Sequence, residues 1–465
     1  MNASANPIDI AYLLTGILFI VGLKYLSSPA TARLGNRVAA AGMLLALIAT
    51  LLDQKVVGYP VIIIGVVIGG AIGFVSARTV KMTAMPQMVA LFNGAGGGAA
   101  ALVATAEFLK LLGEPGTPPV DATTTIMLST IIGALSFSGS IIAFLKLQEL
   151  MTGRPITYPG QQVVNGGVLA AIAIATALVL LGNHAELAYA VAGALALTLG
   201  ILFVLPIGGA DMPVVISLLN AFTGLAAAST GFVLGNDILI ISGALVGASG
   251  TMLTVLMGKA MNRSLTNVLF GAFGKVIPGT ATASSAKSAN IKSVNPEDVA
   301  AMVAYARQVV IVPGYGMAVA QAQHAVARLA STLEARGVIV KYAIHPVAGR
   351  MPGHMNVLLA EADVPYPSLY DMEDINPDFE RTDVALIIGA NDVTNPAARN
   401  DSTSPIYGMP ILDVDKAEHI VVLKRSMRSG FAGIDNPLYE DPKCVMLFGD
   451  AKDSVEKVAA AAKTV

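Results

Sequence analysis

The sequence predicts a polytopic α-helical membrane bundle followed by a soluble α/β domain built on a doubly wound parallel sheet. Three observations support this fold class. Up to about Arg263 the chain is a succession of apolar runs of membrane-spanning length. From about Ser293, short apolar runs typical of buried strands alternate with helical stretches. A glycine-rich turn at residues 313–316 follows the first of those strands.

Composition narrows the class of protein further. The chain is 54% hydrophobic and only 13% charged, against roughly 25% charged residues in globular proteins. The formal net charge is -2 without a basic run, which argues against nucleic-acid binding. A single cysteine, Cys444, excludes an iron–sulfur cluster and an intrachain disulfide. The first apolar run begins at Ile8 without a basic flank or a cleavage site, so we interpret it as a retained helix.

About nine spans are predicted in the first 263 residues. Each is long enough, at ~1.5 Å per residue, to cross or nearly cross a hydrocarbon layer of about 30 Å. The second and sixth are short. The expected limits are residues 8–26, 38–52, 57–77, 85–111, 123–145, 167–182, 187–207, 212–234 and 237–257.

The loops between these spans differ in basic residues. The loops on one side of the predicted bundle contain only two basic residues, Lys55 and Lys110. Because basic loops face the cytoplasm, an odd number of spans puts the N-terminus outside and the soluble domain in the cytoplasm. The basic loops, all on the other side, contain Lys24, Arg33, Arg37, Arg78, Lys81, Lys146, Arg154, Lys259 and Arg263.

Small residues recur at close-packing spacing in two of the spans. Gly65, Gly69 and Gly73 are spaced four residues apart, and so are Gly243 and Gly247. This spacing favours tight helix–helix contact.

Polar side chains at membrane depth need partners because lipid offers no water. The candidates are Asn93 beside a glycine-rich stretch, Ser136, Ser138 and Ser140 in the fifth span, and Asn220 in the eighth. Their side chains either form hydrogen bonds between helices or belong to a proton pathway. No pair of histidines is placed to ligate a membrane haem, which argues against a cytochrome-type carrier.

Asp211 and Arg263 are both expected on the cytoplasmic face, before the eighth span and after the ninth. Each is either an ordinary interfacial residue or half of a hinge ion pair between bundle and soluble domain.

The soluble domain is expected at residues 293–465, after a small and polar linker at residues 264–292. Asn295, Pro296 and Glu297 form a helix-start signal. The alternation that follows is Rossmann-like, so a ligand should lie across the carboxyl ends of the strands. The expected strands are residues 309–312, 338–344, 384–388, 420–423 and 445–448, and the expected helices are residues 318–336, 353–362 and 454–462.

The turn after the first strand has two of the three fingerprint glycines, Gly314 and Gly316, with Val319 in the third place. This preserves the close approach of backbone to a pyrophosphate but is a weak signal alone. Residues 345–350 follow the second strand, where an acid would otherwise hold a ribose hydroxyl. Lys424, Arg425 and Ser426 follow a later strand and favour an additional phosphate, hence NADP(H) over NAD(H); the alternative is a solvated basic loop.

Asp392 lies in the stretch 389–396, again at the carboxyl end of a strand. Its carboxyl is either a turn cap or a titratable group coupled to the cofactor. The spacing leaves both open.

Several stretches closely resemble the β subunit of proton-translocating NAD(P)+ transhydrogenase. In the soluble half these are residues 313–323, 345–361, 389–392 and 424–427; in the membrane half, residues 208–215 and 259–263. The resemblance covers essentially the whole chain.

The resemblance implies an NADP(H)-binding domain in which Asn391 and Asp392 serve the chemistry and Asp392 is the proton-linked carboxylate. Tyr315 would contact the cofactor, Arg350 would face the pyrophosphate, and the segment 428–433 would act as a lid. The implied contacts are Gly314, Tyr315, Gly316, Met317, Ala318, Val319, His345, Val347, Ala348, Gly349, Arg350, Gly389, Ala390, Asn391, Asp392, Lys424, Arg425, Ser426, Arg428, Gly430, Gly433, Asp450 and Ala451.

The resemblance also implies a separate α subunit with the NAD(H) site and further helices, a dimer of such assemblies, and a bacterial inner membrane with its lipids. Some members have a membrane histidine where this chain has Asn93; in the others the histidine comes from the α subunit. Residues implied in the proton path or coupling are Asn93, Ser140, Asp211, Asn220 and Arg263. Two other classes compete: a transporter or channel gated by an NADP(H)-sensing domain, and a membrane dehydrogenase that reduces quinone.

Overall fold

A computed structural model gives the architecture of the chain. It describes residues 7–28, 31–52, 58–80, 84–115, 119–148, 150–152, 155–182, 184–208, 211–260, 291–350, 353–404, 406–430 and 432–465. The chain divides into two compact units: the first contains the described residues up to 208 and those from 214 to 254, and the second contains the β-sheet.

Nine helices in the described residues are long and apolar enough to cross a membrane, which confirms the predicted membrane bundle. The second and sixth are longer than expected, because their first turns contain arginine or glutamine that an apolar pattern leaves out. Their bounds are α1 Pro7–Leu26, α2 Ala32–Leu52, α3 Tyr59–Thr79, α4 Met85–Gly113, α5 Val120–Leu147, α6 Gln161–Leu180, α7 Ala185–Val204, α8 Met212–Leu234 and α9 Asp237–Ala260.

Helix α5 has a largely buried surface and packs against α4 and α7. Gly97 of α4 and Gly133 of α5 allow the two backbones to touch, since a Cβ on Gly133 would stand 2.6 Å from the Gly97 carbonyl oxygen. Near one end, Phe108 and Tyr189 stack with ring centroids 4.0 Å apart, which fixes α4 against α7.

The two glycine patterns have different outcomes. Gly243 and Gly247 pack on α8, where Gly243 contacts the backbone of Gly224, so close packing is confirmed there. Around Gly65 and Gly69, as around Gly73, no atom of the described chain other than the adjacent backbone of the same helix lies within 4 Å of a Cβ position. The close contact expected for α3 is therefore absent within the described part of this chain.

The second unit is a six-stranded parallel sheet with helices. Asn295 caps its first helix by accepting from the Asp298 N–H at 2.8 Å, as the sequence predicts. The strands are β1 Gln308–Pro313, β2 Ile339–Ile344, β3 Leu369–Asp371, β4 Val384–Ile388, β5 His419–Lys424 and β6 Cys444–Phe448. The helices are α10 Pro296–Ala304, α11 Tyr315–Val319, α12 Gln323–Glu334, α13 His354–Glu361, α14 Met372–Ile375, α15 Ala397–Asn400 and α16 Ala451–Ala461.

The strand order is β3-β2-β1-β4-β5-β6, so the chain reverses direction across the sheet between β1 and β4. Strand β1 pairs with β4 from Val309 opposite Val384 to Pro313 opposite Ile388, and both strands are almost entirely buried. The doubly wound sheet is thereby confirmed. In this topology a ligand crevice opens at the carboxyl ends of β1 and β4.

Two elements differ from the sequence prediction. The helix expected at residues 318–336 is two helices, α11 and α12, because Gln321 takes a left-handed conformation with φ of 50°. No glycine or proline marks that break. Strand β3 has only three residues and pairs with β2 at the sheet edge, too short for an apolar pattern to reveal.

Candidate functional site

The turns after β1 and β4 touch at the crevice. The Gly314 N–H donates to the Ile388 carbonyl at 2.9 Å, and the Gly316 N–H donates to the Gly389 carbonyl at 2.9 Å. A Cβ on Gly316 would stand 2.7 Å from the Gly389 Cα. Gly389 itself has φ of 68°, which favours glycine. Helix α11 begins at Tyr315, so the first backbone N–H groups after β1 border this crevice.

The turn after β2 is shaped by His345, which is buried. Its Nε2 donates to the Pro410 carbonyl at 2.8 Å, and its Nδ1 accepts from the Val347 N–H at 3.2 Å. Burial lowers the pKa of His345 to about 4. The ring is therefore neutral at physiological pH, and it holds the loop rather than supplying a positive charge.

Arg350 joins the β2 loop to the β1 loop. Its guanidinium lies 4.4 Å from the centre of the Tyr315 ring, a cation–π contact. Its backbone N–H donates to His354 Nδ1 at 3.1 Å. Gly349, with φ of 109°, leaves room for the His354 ring. Two candidate residues far apart in sequence are thus adjacent.

Lys424 and Arg425, at the end of β5, occupy different environments. Lys424 Nζ lies 4.7 Å from the centre of the Tyr439 ring and 3.5 Å from its hydroxyl oxygen. Burial lowers the pKa of Lys424, against the opposing effect of nearby Asp392 and Asp435. The Arg425 side chain is 65% exposed and pairs with Asp450 at 3.1 Å. Both cations reach the carboxyl edge of the sheet.

The candidate lid runs past the same edge. Arg428 Nε donates to the Ser426 hydroxyl at 3.4 Å, and the Gly433 N–H donates to the Gly430 carbonyl at 3.2 Å. Phe431, within the expected lid, lies outside the described residues.

Asp392 contacts this segment directly. Its Oδ2 accepts from the Ala432 N–H at 3.0 Å. A Cβ on Gly430 would stand 2.5 Å from Asn391 Nδ2 and 2.6 Å from Asp392 Oδ1. The carboxylate and the neighbouring amide therefore both border the backbone of Gly430, and any larger side chain there would displace them.

The remaining candidate residues in these turns differ in how deeply they are buried. Met317, Ala318, Ala348 and Ala390 are buried, whereas the Val319 side chain is about half exposed. In a further turn of the edge, Asp450 caps α16, which begins at Ala451, by accepting from the Lys452 N–H at 3.0 Å.

Three residues at this edge were not predicted as site residues from the sequence: His354, Asn436 and Tyr439. Tyr439 donates to Asn391 Oδ1 at 2.6 Å. The Asn-Pro pair at residues 436–437 indicates a turn, but no local pattern reveals that the turn reaches Asn391. His354 lay inside a stretch used for the resemblance, without a signal for its contact with residue 350.

In the membrane unit the structure brings three of the polar candidates together. Asn93 Nδ2 donates to Ser140 Oγ at 2.9 Å and lies 3.4 Å from Ser136 Oγ. Ser136 in turn bonds to the Thr223 hydroxyl at 2.5 Å, which links α4, α5 and α8. Asn220 is half-buried on α8.

The predicted pair of Asp211 and Arg263 stays a prediction. Asp211 is described, but Arg263 lies outside the described residues, and so does the expected linker up to residue 290.

Comparison with known proteins gives a consistent result. The family model for the NAD(P) transhydrogenase beta subunit matches residues 8–461. Two curated relatives, both called NAD(P) transhydrogenase subunit beta and both from Rhodospirillum rubrum, are each 50% identical over 455 residues. Each alignment covers 97% of this chain and 98% of the relative.

Proposed function

Since the chain belongs to the NAD(P) transhydrogenase beta subunit family, we propose that it binds NADP(H) at the carboxyl edge of its sheet. As a transhydrogenase beta subunit it acts with an alpha subunit, and the nine apolar helices among its described residues make it a multi-pass membrane protein. When bound, the nucleotide would supply the hydride donor or acceptor of the reaction. The choice of NADP(H) for this chain, and of NAD(H) for the alpha subunit, is the proposal.

The shape of the crevice supports a dinucleotide. Gly314 and Gly316 keep the space between the β1 and β4 turns free of side chains, as a pyrophosphate near the backbone requires. Arg350, stacked on Tyr315, adds a cation at the neighbouring turn. Such a donor set suits phosphate oxygens.

The single observation that most favours NADP(H) is the pair of cations that ends β5. Lys424 is half-buried and Arg425 is held by Asp450, both on the same edge as the glycine turn. An NAD(H) site would instead be expected to place an acid where it can bind the ribose hydroxyl. Two cations fit the additional phosphate that distinguishes NADP(H).

We assign Asp392 the proton-linked role and Asn391 a place beside the reacting end of the cofactor. Asp392 accepts from the backbone of the lid segment, so its protonation would weaken that hydrogen bond and favour lid opening. The membrane candidates Asn93 and Ser140, with Asp211, Asn220 and Arg263, would transmit proton movement to this domain. Hydride transfer and proton movement are thereby coupled, and the coupling is reciprocal.

We also propose where the protein lies in the cell and how its assemblies associate. The excess of basic residues in alternate loops supports a soluble domain in the cytoplasm and a bundle in the lipid of a bacterial inner membrane. Two alpha–beta assemblies form a dimer.

The experiment that tests cofactor choice is titration of the purified chain with NADP+ and with NAD+ under identical conditions. Tight binding of NADP+ with far weaker binding of NAD+ is expected. Equal affinity for the two nucleotides would contradict the proposal.

The test of coupling is Asp392→Asn in the complete complex in vesicles. It preserves shape and removes titration, so proton pumping and proton-driven reduction of NADP+ should collapse while the protein stays folded. If this variant pumps like the parent, Asp392 has no proton-linked role. Asp211→Asn and Asn220→Leu should impair pumping and leave NADP+ affinity unchanged, because neither lies on the sheet.

A further inference from the structure

A chain of hydrogen bonds runs from Lys424 to Asn391 through Tyr439. Lys424 Nζ lies 3.5 Å from the Tyr439 hydroxyl, which lies 2.6 Å from Asn391 Oδ1. Asn436 Nδ2 reaches the same Oδ1 at 3.1 Å. The direction of donation along this chain determines what each group can do.

The direction is set by Asn436. Its Oδ1 accepts from the Leu438 N–H at 3.0 Å, so its Nδ2 must face Asn391 as a donor. An Asn391 amide turned the other way would put two NH₂ groups against each other. Asn391 Oδ1 is therefore the acceptor, the Tyr439 hydroxyl donates to it, and the hydroxyl oxygen is left to accept from Lys424.

This arrangement leaves the other end of the Asn391 amide close to Asp392. Asn391 Nδ2 is buried and has no hydrogen-bond partner in the described residues. It and Asp392 Oδ1 both lie within 2.6 Å of the point where a Gly430 Cβ would stand. The positive end of the amide dipole thus lies beside the carboxylate, where it favours the ionised form.

We propose that Tyr439 is a positioning residue: its hydroxyl holds the Asn391 amide with the donor toward Asp392, and thereby keeps the Asp392 carboxylate ionised. The inference rests on the proposed function only in taking Asp392 as the proton-linked group. It adds Tyr439 to the site. It also connects Lys424, the proposed phosphate-binding lysine, with the turn that contains Asp392.

The other groups that face Asp392 do not change charge when the hydroxyl is removed. Lys424 at the end of β5 and Tyr439 itself interact with Asp392, and Asp435 faces Lys424. Burial raises the pKa of Tyr439, so its hydroxyl is neutral throughout the range of interest. The hydrogen bond from Tyr439 to Asn391 is much shorter than its contact with Lys424, 2.6 Å against 3.5 Å. Removal of the hydroxyl should therefore affect Asn391 more than Lys424.

The experiment is an infrared titration of the nucleotide-free alpha–beta complex, which follows carboxyl protonation without any turnover. Asp392→Asn identifies the band that belongs to Asp392. In Tyr439→Phe, which keeps the ring against Lys424, the midpoint of that band should move to higher pH. The shift should be less than the roughly one unit that a direct hydrogen bond to a charged group would give, because no hydrogen bond joins Asn391 Nδ2 to Asp392 in the described residues.

Matched variants separate positioning from packing. Tyr342→Phe removes another buried tyrosine hydroxyl, one without a partner in the described residues, and should leave the midpoint unchanged. Asn391→Ala should shift the midpoint as Tyr439→Phe does, and the double variant should shift it no further, since both act through one amide.

Two results would overturn the inference, and they differ in what else they affect. A band that disappears in Asp392→Asn but does not move in Tyr439→Phe removes the role of Tyr439 and leaves the proposed function intact. If Asp392→Asn removes no titrating band, Asp392 does not titrate, and the inference fails together with the proton-linked role of that residue.

Discussion

Replacing the two cations after β5 one at a time should give unequal losses of NADP+ affinity. Lys424 is half-buried against Tyr439, so its bond to a phosphate forms largely out of water. A charge-assisted hydrogen bond of that kind contributes roughly 1.5–3 kcal/mol. Lys424→Ala should therefore weaken NADP+ by about ten- to 150-fold, at ~1.4 kcal/mol per factor of ten.

Arg425 should matter less. Its side chain is 65% exposed and already paired with Asp450 at 3.1 Å, a pair that a phosphate has to compete with. Exposed ion pairs contribute about 0–1 kcal/mol, so Arg425→Ala should cost no more than about fivefold. The double variant should approach the sum of the two losses in free energy.

The assay is isothermal titration of the purified complex with NADP+, alongside NAD+ binding to the alpha subunit, which should not change. Lys416→Ala is the matched control: this lysine precedes β5 at its amino end, away from the site. Equal losses from Lys424→Ala and Lys416→Ala, or no loss from either, would refute the assignment of the β5 end to the phosphate.

The same lysine predicts a pH dependence. Burial lowers the pKa of Lys424, and only the protonated amine binds phosphate strongly. NADP+ affinity should therefore fall as pH rises toward that lowered pKa, and Lys424→Arg should remove the fall because guanidinium stays charged. An affinity that declines equally in both proteins would point to another titrating group.

Three further predictions follow from local geometry. The pKa of His345 is about 4 when folded, against about 6.5 in an unfolded chain, so the unfolded state binds more protons between these values. Stability should fall as pH drops through that window, by up to ~3 kcal/mol, and His345→Gln should flatten the dependence in thermal unfolding across pH. Gly316→Ala places a Cβ 2.7 Å from the Gly389 Cα and should cost several-fold or more in NADP+ affinity measured by titration; wild-type affinity would mean that the turns are not held this close. Ser136→Ala deletes a buried hydroxyl bonded to Thr223 and should lower the thermal stability of the bundle by about 0.6–1.7 kcal/mol without altering NADP+ affinity, whereas a changed affinity would show a direct effect on the nucleotide site.

Much of the fold was predictable because its signals are local. Apolar runs of about 20 residues can only be spans or buried helices, and length together with the absence of charge favours spans. The alternation of strand and helix after residue 293 restricts the sheet to a parallel, doubly wound form. Strand β4 was predicted with its observed limits, since all five of its residues are apolar and buried.

The glycine patterns illustrate the limit of that reasoning. Gly65 and Gly243 belong to similar four-residue repeats, yet only Gly243 has a neighbour within the described chain. The four-residue spacing of glycines shows that one face of a helix has only small side chains and can pack closely. Which helix approaches it depends on how the bundle packs, and that is a property of the whole chain.

By itself, the sequence determined the class of protein, the order of its two parts and the edge of the sheet at which a ligand should lie, because hydrophobic period and turn chemistry act over a few residues. Only the tertiary structure placed Arg350 on the Tyr315 ring and Tyr439 between Lys424 and Asn391. Those contacts join residues from 15 to 48 positions apart. They arise because parallel strands bring separate turns to one edge, a register that is decided by burial across the sheet and not by any segment alone.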